Sequence, residues 1–248
     1  MGMNLEYATI AGRRIRYAAS RRPGASQLLL VSPHPMSILT YTDWWERLSE
    51  RFDTVAVDLP NHGGSDADKT VVTVSQQAAF LPKILDHFDL QQPHYVGPDV
   101  GTPLAVRFMA DNPRRLRSAV LGEAGVVGKV EGQLLFRLAV HSRMMRWSVL
   151  AAGGPIGGRI YSRIANHVGY KRTQNPDKER LQDYQRSTTN FNKLRNQLGF
   201  IGSYPEETPE LEKVAGSIDT PVLVLHGEKD AFVGMGNSRR LSDLATKR

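Results

Sequence analysis

The chain has 248 residues, enough for one large α/β domain or for a core that carries an insertion. Hydrophobic residues make up 40% of it and charged residues 23%, an ordinary globular balance, and with no cysteine it can form no disulfide, thiolate metal site or cysteine nucleophile. The net charge of +7 raises nucleic acid as a partner, but there is no zinc-ligand spacing, no RNP-like aromatic motif and no run of five like charges, so none is expected.

In chain order, residues 4–10 and 13–19 alternate with period two around Ala11-Gly12 and predict an antiparallel hairpin. Gln27 to Ser32 is a continuous apolar run, the pattern of a strand buried on both faces. The loop Ser32-Pro33-His34-Pro35 follows, then a short helix from Asp43 to Phe52 with Asp43 as a candidate N-cap. Asp53 to Leu59 predicts the next buried strand, and Pro60 to Asp66 a turn-rich loop. Helical spacing covers Val74 to Phe88, a strand ends at Gly97, Leu104 to Asn112 continues as helix, and Ser118 to Gly122 predicts another strand. This alternation argues for a mostly parallel sheet with helices on its faces. From about Val126 to Ala215 helical segments dominate, broken at Gly153-Gly154-Pro155 and Gln174-Asn175-Pro176. That stretch holds fourteen Lys and Arg against eight Asp and Glu, so it carries most of the net charge. Two readings fit: a solvated helical face, or a cap whose field draws in anionic substrates or stabilises a leaving anion. Thr220 to His226 resumes the buried-strand pattern, Gly227 to Asp230 forms a loop, and Asn237 to Thr246 predicts a helix. No apolar run approaches the roughly 18 residues of a membrane span. The N-terminus lacks a signal-peptide profile, so a cytoplasmic protein without a membrane partner is expected.

The stretch that carries chemistry is Gly97-Pro98-Asp99-Val100-Gly101, at the end of a strand and the start of a helix. Glycines two residues before and after the strand–helix junction are the pattern of a nucleophile elbow. Its central residue sits in a strained conformation, and a Cβ at either glycine is expected to strike the strand or the helix. Here the central residue is Asp99, so the nucleophile would be a carboxylate and its target an alkyl carbon.

Four landmarks in order resemble the α/β-hydrolase fold, specifically its epoxide hydrolase and haloalkane dehalogenase branch. Residues 55–66 (VAVDLPNHGGSD) resemble the branch's D-x-P-G-x-G-x-S loop, with Asn61 in place of the first Gly. Residues 96–101 (VGPDVG) resemble its aspartate elbow, residues 32–35 (SPHP) align with its H-G-x-P loop, and residues 222–230 (VLVLHGEKD) resemble the strand and loop that present the acid. The resemblance implies a twisted, mostly parallel sheet with an inserted helical cap: core at 1–125, cap at 126–215, core again at 216–248, with the last edge strand apparently missing. It implies Asp99 as nucleophile, the backbone N–H groups of His34 and Val100 as oxyanion hole, and Asp230 as the acid that orients a general base. It implies a small-molecule substrate and no cofactor or metal.

The branch places its histidine after the acid, and no His follows Asp230. An incomplete sequence accounts for this, as does a divergent protein that no longer turns over or that recruits another His; a non-catalytic ligand-binding protein is the alternative to a hydrolase. His226 is expected to pack or to anchor a loop. His34 is the other imidazole expected near Asp99, either as a water or leaving-anion partner or as a pocket-lining residue. Haloalkane dehalogenases usually carry Trp after the nucleophile, and Val100 here argues against one. Epoxide hydrolases usually protonate the epoxide oxygen with two cap tyrosines; Tyr161, Tyr170, Tyr184 and Tyr204 are available, with Tyr161 and Tyr184 the candidate substrate-binding pair.

Overall fold

The computed structural model describes residues 2–123, 134–151, 156–160, 162–163, 176–230 and 233–245. Its strands are β1 (Glu6–Ile10), β2 (Arg13–Ser20), β3 (Gln27–Val31), β4 (Asp53–Val57), β5 (His94–Pro98), β6 (Ser118–Gly122) and β7 (Val222–Val224). They form one sheet in the order β1-β2-β4-β3-β5-β6-β7. β1, β2 and β4 pair antiparallel, and every pair from β4 to β7 is parallel. The expected hairpin and buried strands are therefore present, and β4 is buried at all five positions.

Strand order reverses at β3, which has β4 on one side and β5 on the other. The loops that leave the carboxyl ends of β3 and β5 consequently diverge and open a crevice, where open α/β sheets place ligands. The loop after β3 and the elbow after β5 are the two segments singled out by sequence.

The helices between the strands are α1 (Thr42–Ser49), α2 (Val74–Ala78), α3 (Leu81–His87) and α4 (Gly101–Asp111). Asp43 does not cap α1: it lies in the first turn and accepts a hydrogen bond from Arg180 Nη1 at 2.8 Å. The segment 74–88 divides into α2, with a Thr73–Gln76 capping box, and α3, with a proline in its first turn.

Between β6 and β7 run α5 (Leu134–His141), α6 (Arg143–Ala151), helical residues 156–160 and 162–163, α7 (Lys178–Thr189) and α8 (Phe191–Ala215). Asp177 and Asn190 cap α7 and α8 with their side chains. α8 is shared between layers: Phe200, Ile201, Tyr204, Leu211 and Ala215 join the main core beneath the sheet. The boundary expected at residue 126, the break at 153–155, and Tyr161 and Tyr170 lie outside the described residues.

β7 carries the buried-strand pattern but stands at the edge of the sheet among the described residues. Leu223 is 55% exposed and Leu225 55% exposed. β7 pairs with β6 alone and closes the sheet among the described residues. Its apolar run is the same as that of an inner strand, but it has one neighbour instead of two. α9 (Met235–Ala245) follows and packs on β7.

Candidate active site

β5 delivers the chain into a sharp turn at Asp99, which has φ +54°, and α4 begins two residues later. A non-glycine residue in this region costs about 1–3 kcal/mol, so the surroundings must hold it there. They do so through Gly122 and Thr102. Asp99 N–H donates to Gly122 O at 3.0 Å, and Thr102 N–H donates to Asp99 O at 3.0 Å. The buried Thr102 hydroxyl lies 2.9 Å from the carbonyls of Gly97 and Gly122 and accepts from Gly122 N–H at 2.8 Å.

The two elbow glycines leave room for a neighbouring side chain. A Cβ on Gly97 would stand 2.3 Å from the Tyr95 ring, and one on Gly101 would stand 3.1 Å from the Tyr95 hydroxyl. Sequence spacing predicts a clash with the strand or the helix. The obstacle is the strand: the fully buried side chain of Tyr95 on β5, which donates to Gly101 O at 2.8 Å.

The Asp99 carboxylate accepts the His34 backbone N–H at 2.6 Å and is also bonded by Val100 N–H. The two backbone donors expected to flank the nucleophile thus converge on one side chain. Burial pushes the Asp99 carboxyl up to about 7; the His34 and Val100 N–H groups oppose that, and the charges of Glu123 and Asp230 add to it. The carboxylate is therefore poised near neutrality, and the two backbone donors favour its ionised form.

Asp230 sits on the loop after β7. Its carboxylate accepts Val233 N–H at 3.1 Å and lies 3.8 Å from His226 Nε2. His226 is a loop anchor, as expected: Nδ1 is 2.8 Å from the Ser238 hydroxyl and Nε2 is 3.2 Å from Val233 O. Sequence reasoning passed over a third acid, Glu123. It follows β6 with φ +56°. Desolvation by the surrounding groups and the charge of Asp230 push its carboxyl up, against a hydrogen bond from Gly227 N–H. The register pairs Pro98 with Gly122, so Asp99 and Glu123 leave neighbouring strand ends. An acid just past the apolar run Ser118 to Gly122 was the available signal.

His34 packs edge-on against His62, with ring centroids 5.7 Å apart. Burial, then mutual repulsion, pushes His34 down to about 3, and burial pushes His62 down to about 4. Both rings are neutral, so neither offers a cation to a leaving anion. The His34 backbone faces Asp99.

Tyr204 is tied electrostatically to the nucleophile. It is 3% exposed on α8, and burial followed by the charge of Asp99 holds its hydroxyl well above the usual range. Tyr184 is fully buried on α7, on the same face as Asp183 and Ser187. Those two reach the loop after β3: Ser37 donates to Asp183 at 2.6 Å, and the Ser187 hydroxyl is 3.4 Å from Pro35 O.

α7 is fastened by a buried ion triad. Arg16, 1% exposed, donates from Nη1 and Nη2 to both Asp183 oxygens at 2.7 Å and from Nε to Asp58. Asp58 also accepts Ile38 N–H at 2.9 Å and Gly64 N–H at 2.8 Å. Burial alone would raise Asp183, but the bonds from Arg16 outweigh it and bring the carboxyl below its ordinary value. The same loop explains Asn61, the departure from the glycine pattern. Its φ is +73°, a region Asn tolerates, and its side chain donates to Asp68 O and Val71 O at 3.0 and 2.8 Å.

The described residues contain no cluster of three or more His, Cys, Asp and Glu arranged to hold a metal, and no helix long and apolar enough to cross a membrane.

Residues 35–248 match the family model described as alpha/beta hydrolase fold. A dihydrolipoyllysine-residue acetyltransferase component of the acetoin cleaving system from Cupriavidus necator is 29% identical over 133 residues, 51% of this chain and 35% of that protein. The chain thus spans about a third of the length of that relative. An uncharacterized hydrolase of Bacillus subtilis, YugF, is 24% identical over 238 residues, 94% of this chain and 83% of that one. Among solved structures, the epoxide hydrolase CorEH without ligand superposes with a TM-score of 0.76 at 18% identity, covering 92% of this chain and 83% of that chain.

Proposed function

The chain belongs to the alpha/beta hydrolase fold family, and on that premise we propose that it is an epoxide hydrolase-like enzyme whose nucleophile is the Asp99 carboxylate. The observation that carries this reading is the carboxylate itself, held at a left-handed strand–helix turn with two backbone N–H donors on it. Family membership and hydrolase neighbours support hydrolysis as the reaction class.

The geometry divides the labour between the two Asp99 oxygens. Oδ2 is held by His34 N–H, which leaves Oδ1 to attack carbon. Attack on an epoxide carbon forms an ester C–O bond and breaks the ring C–O bond. The released alkoxide takes a proton from a tyrosine hydroxyl, with Tyr204 the nearest in charge contact and Tyr184 the second candidate. Oδ2 then becomes the ester carbonyl oxygen, already on the His34 N–H donor that stabilises the tetrahedral intermediate. Such a donor is worth roughly 3 kcal/mol. Water attacks that carbonyl, the intermediate collapses to the diol and the Asp99 carboxylate, and the proton released from the water returns to the tyrosine oxygen that gave one up. Asp230, with Glu123 beside it, supplies the negative charge that orients and stabilises the group taking the water's proton.

Incubation with styrene oxide or an alkyl bromide, followed by peptide mass spectrometry, should reveal an ester on the Asp99 peptide that is missing in Asp99→Asn. Acid quenching within the first turnovers preserves the ester for detection. No adduct across a broad panel of epoxides and halides would refute the nucleophile and leave a ligand-binding protein of the same fold.

A further inference from the structure

A second cleft, whose described lining comes from the helical segment between β6 and β7, is left unused by the chemistry above. It has a volume of about 490 Å³, and the described residues lining it are Arg159, Arg163, Gln182, Gln185, Arg186 and Thr189. Arg159 and Arg163 come from the helical residues 156–160 and 162–163, and Arg186 from α7. Gly158 lets the two walls meet: a Cβ there would stand 2.1 Å from Thr188 O, so only glycine permits this approach.

The cleft concentrates charge of one sign. No carboxylate is among the described residues that line it. The acid beside it, Asp183, is 3.9 Å from Arg186 Nη1 but is already bonded by both terminal nitrogens of Arg16 and by the Ser37 hydroxyl. Gln182 and Gln185 add neutral amide donors. All three arginines are exposed, so an anion reaches them directly from solvent. Three guanidinium groups around one space repel each other until an anion lies between them.

We propose that this cleft binds a phosphate ester. Guanidinium forks match phosphate oxygens in pairs, and a phosphate presents enough outward oxygens and charge to engage more than one fork. A monocarboxylate, with two oxygens and one charge, satisfies a single fork. The volume falls in the range of organic-ligand pockets, so the cleft takes the ester group as well as the phosphate. The surplus of six positive charges over residues 126–215 supplies the long-range attraction. The site contains none of Asp99, Glu123 and Asp230, so it stands or falls independently of the reaction at Asp99.

The test is titration calorimetry of the whole 248-residue chain with phenyl phosphate, phenylacetate serving as the carboxylate comparator. A saturable isotherm is expected for phenyl phosphate. Arg159→Gln combined with Arg163→Gln should weaken it at least about tenfold, and Arg186→Gln alone by about threefold or more. The charge-matched pair Arg137→Gln and Arg143→Gln, on α5 and α6, should change it less than about twofold. Sedimentation with phosphatidylcholine vesicles, with and without phosphatidic acid, locates the source. Vesicle binding lost in the Arg159/Arg163 pair and kept in the Arg137/Arg143 pair marks a lipid headgroup; phenyl phosphate binding without it marks a soluble ester. Equal weakening by both pairs, phenylacetate binding as tight as phenyl phosphate, or no binding in either arm would overturn the proposal.

Discussion

Replacing Asp99 by Asn should make the protein more stable at alkaline pH and leave it almost unchanged in acid. Asn tolerates the left-handed backbone about as well as Asp, so the substitution removes an ionisation and little else. Burial raises the native carboxyl from 3.8 to about 7. In acid below about pH 4, both folded and unfolded chains hold the proton and the group has no effect on stability. Between about pH 4 and 7 the unfolded chain ionises first, so stability falls as pH rises, and above about 7 the penalty is complete. A shift of roughly three units corresponds to about 4 kcal/mol. Asp99 retains some exposure to water, which screens part of that, so we expect about 2–4 kcal/mol at pH 8.5. Urea unfolding of wild type and Asp99→Asn at pH 4 and pH 8.5 measures the difference directly. Equal stability of the two proteins at pH 8.5, or a larger gain at pH 4 than at pH 8.5, would show that Asp99 is not a buried, destabilising carboxylate and would remove the electrostatic basis of the proposed nucleophile.

The other expectations concern what holds the site in place. Asp183→Ala leaves the buried Arg16 guanidinium with Asp58 alone and should cost about 3–5 kcal/mol in urea unfolding; a loss under about 1 kcal/mol would mean that water or Asp58 compensates fully. Gly97→Ala puts a methyl 2.3 Å from the Tyr95 ring, so it should cost about 1–3 kcal/mol and abolish ester formation at Asp99. Wild-type stability with wild-type trapping would show that Tyr95 has room to move.

The parts of the fold carried by short-range pattern were legible. The period-two alternation of residues 4–19, the apolar runs of β3 through β6 and the helical spacing of α4 each reflect burial that a residue and its near neighbours decide together. The turn at Asp99 was legible too, because the demand for a left-handed residue between two glycines is local. Glu123 was not: an acid after a strand is common, and only the pairing of Pro98 with Gly122 places it beside Asp99. Sequence favours Tyr161 and Tyr184 over Tyr204, because helical position alone does not show that α8 packs into the main core and puts Tyr204 within the field of Asp99.

β7 marks the division between the two kinds of information. Val222–Val224 has the composition of an inner strand, yet Leu223 and Leu225 are each 55% exposed, because a sequence records affinity for burial and not the number of neighbours available to supply it. The order of residues by itself determined a mostly parallel α/β sheet and a carboxylate at a strand–helix bend. Tertiary structure decided that the loop after β3, the elbow after β5, and the acids after β6 and β7 meet at one end of the sheet. Their separations along the chain are too long for any local rule to bring them together; it is the reversal of strand order at β3, and the parallel pairing beyond it, that does so.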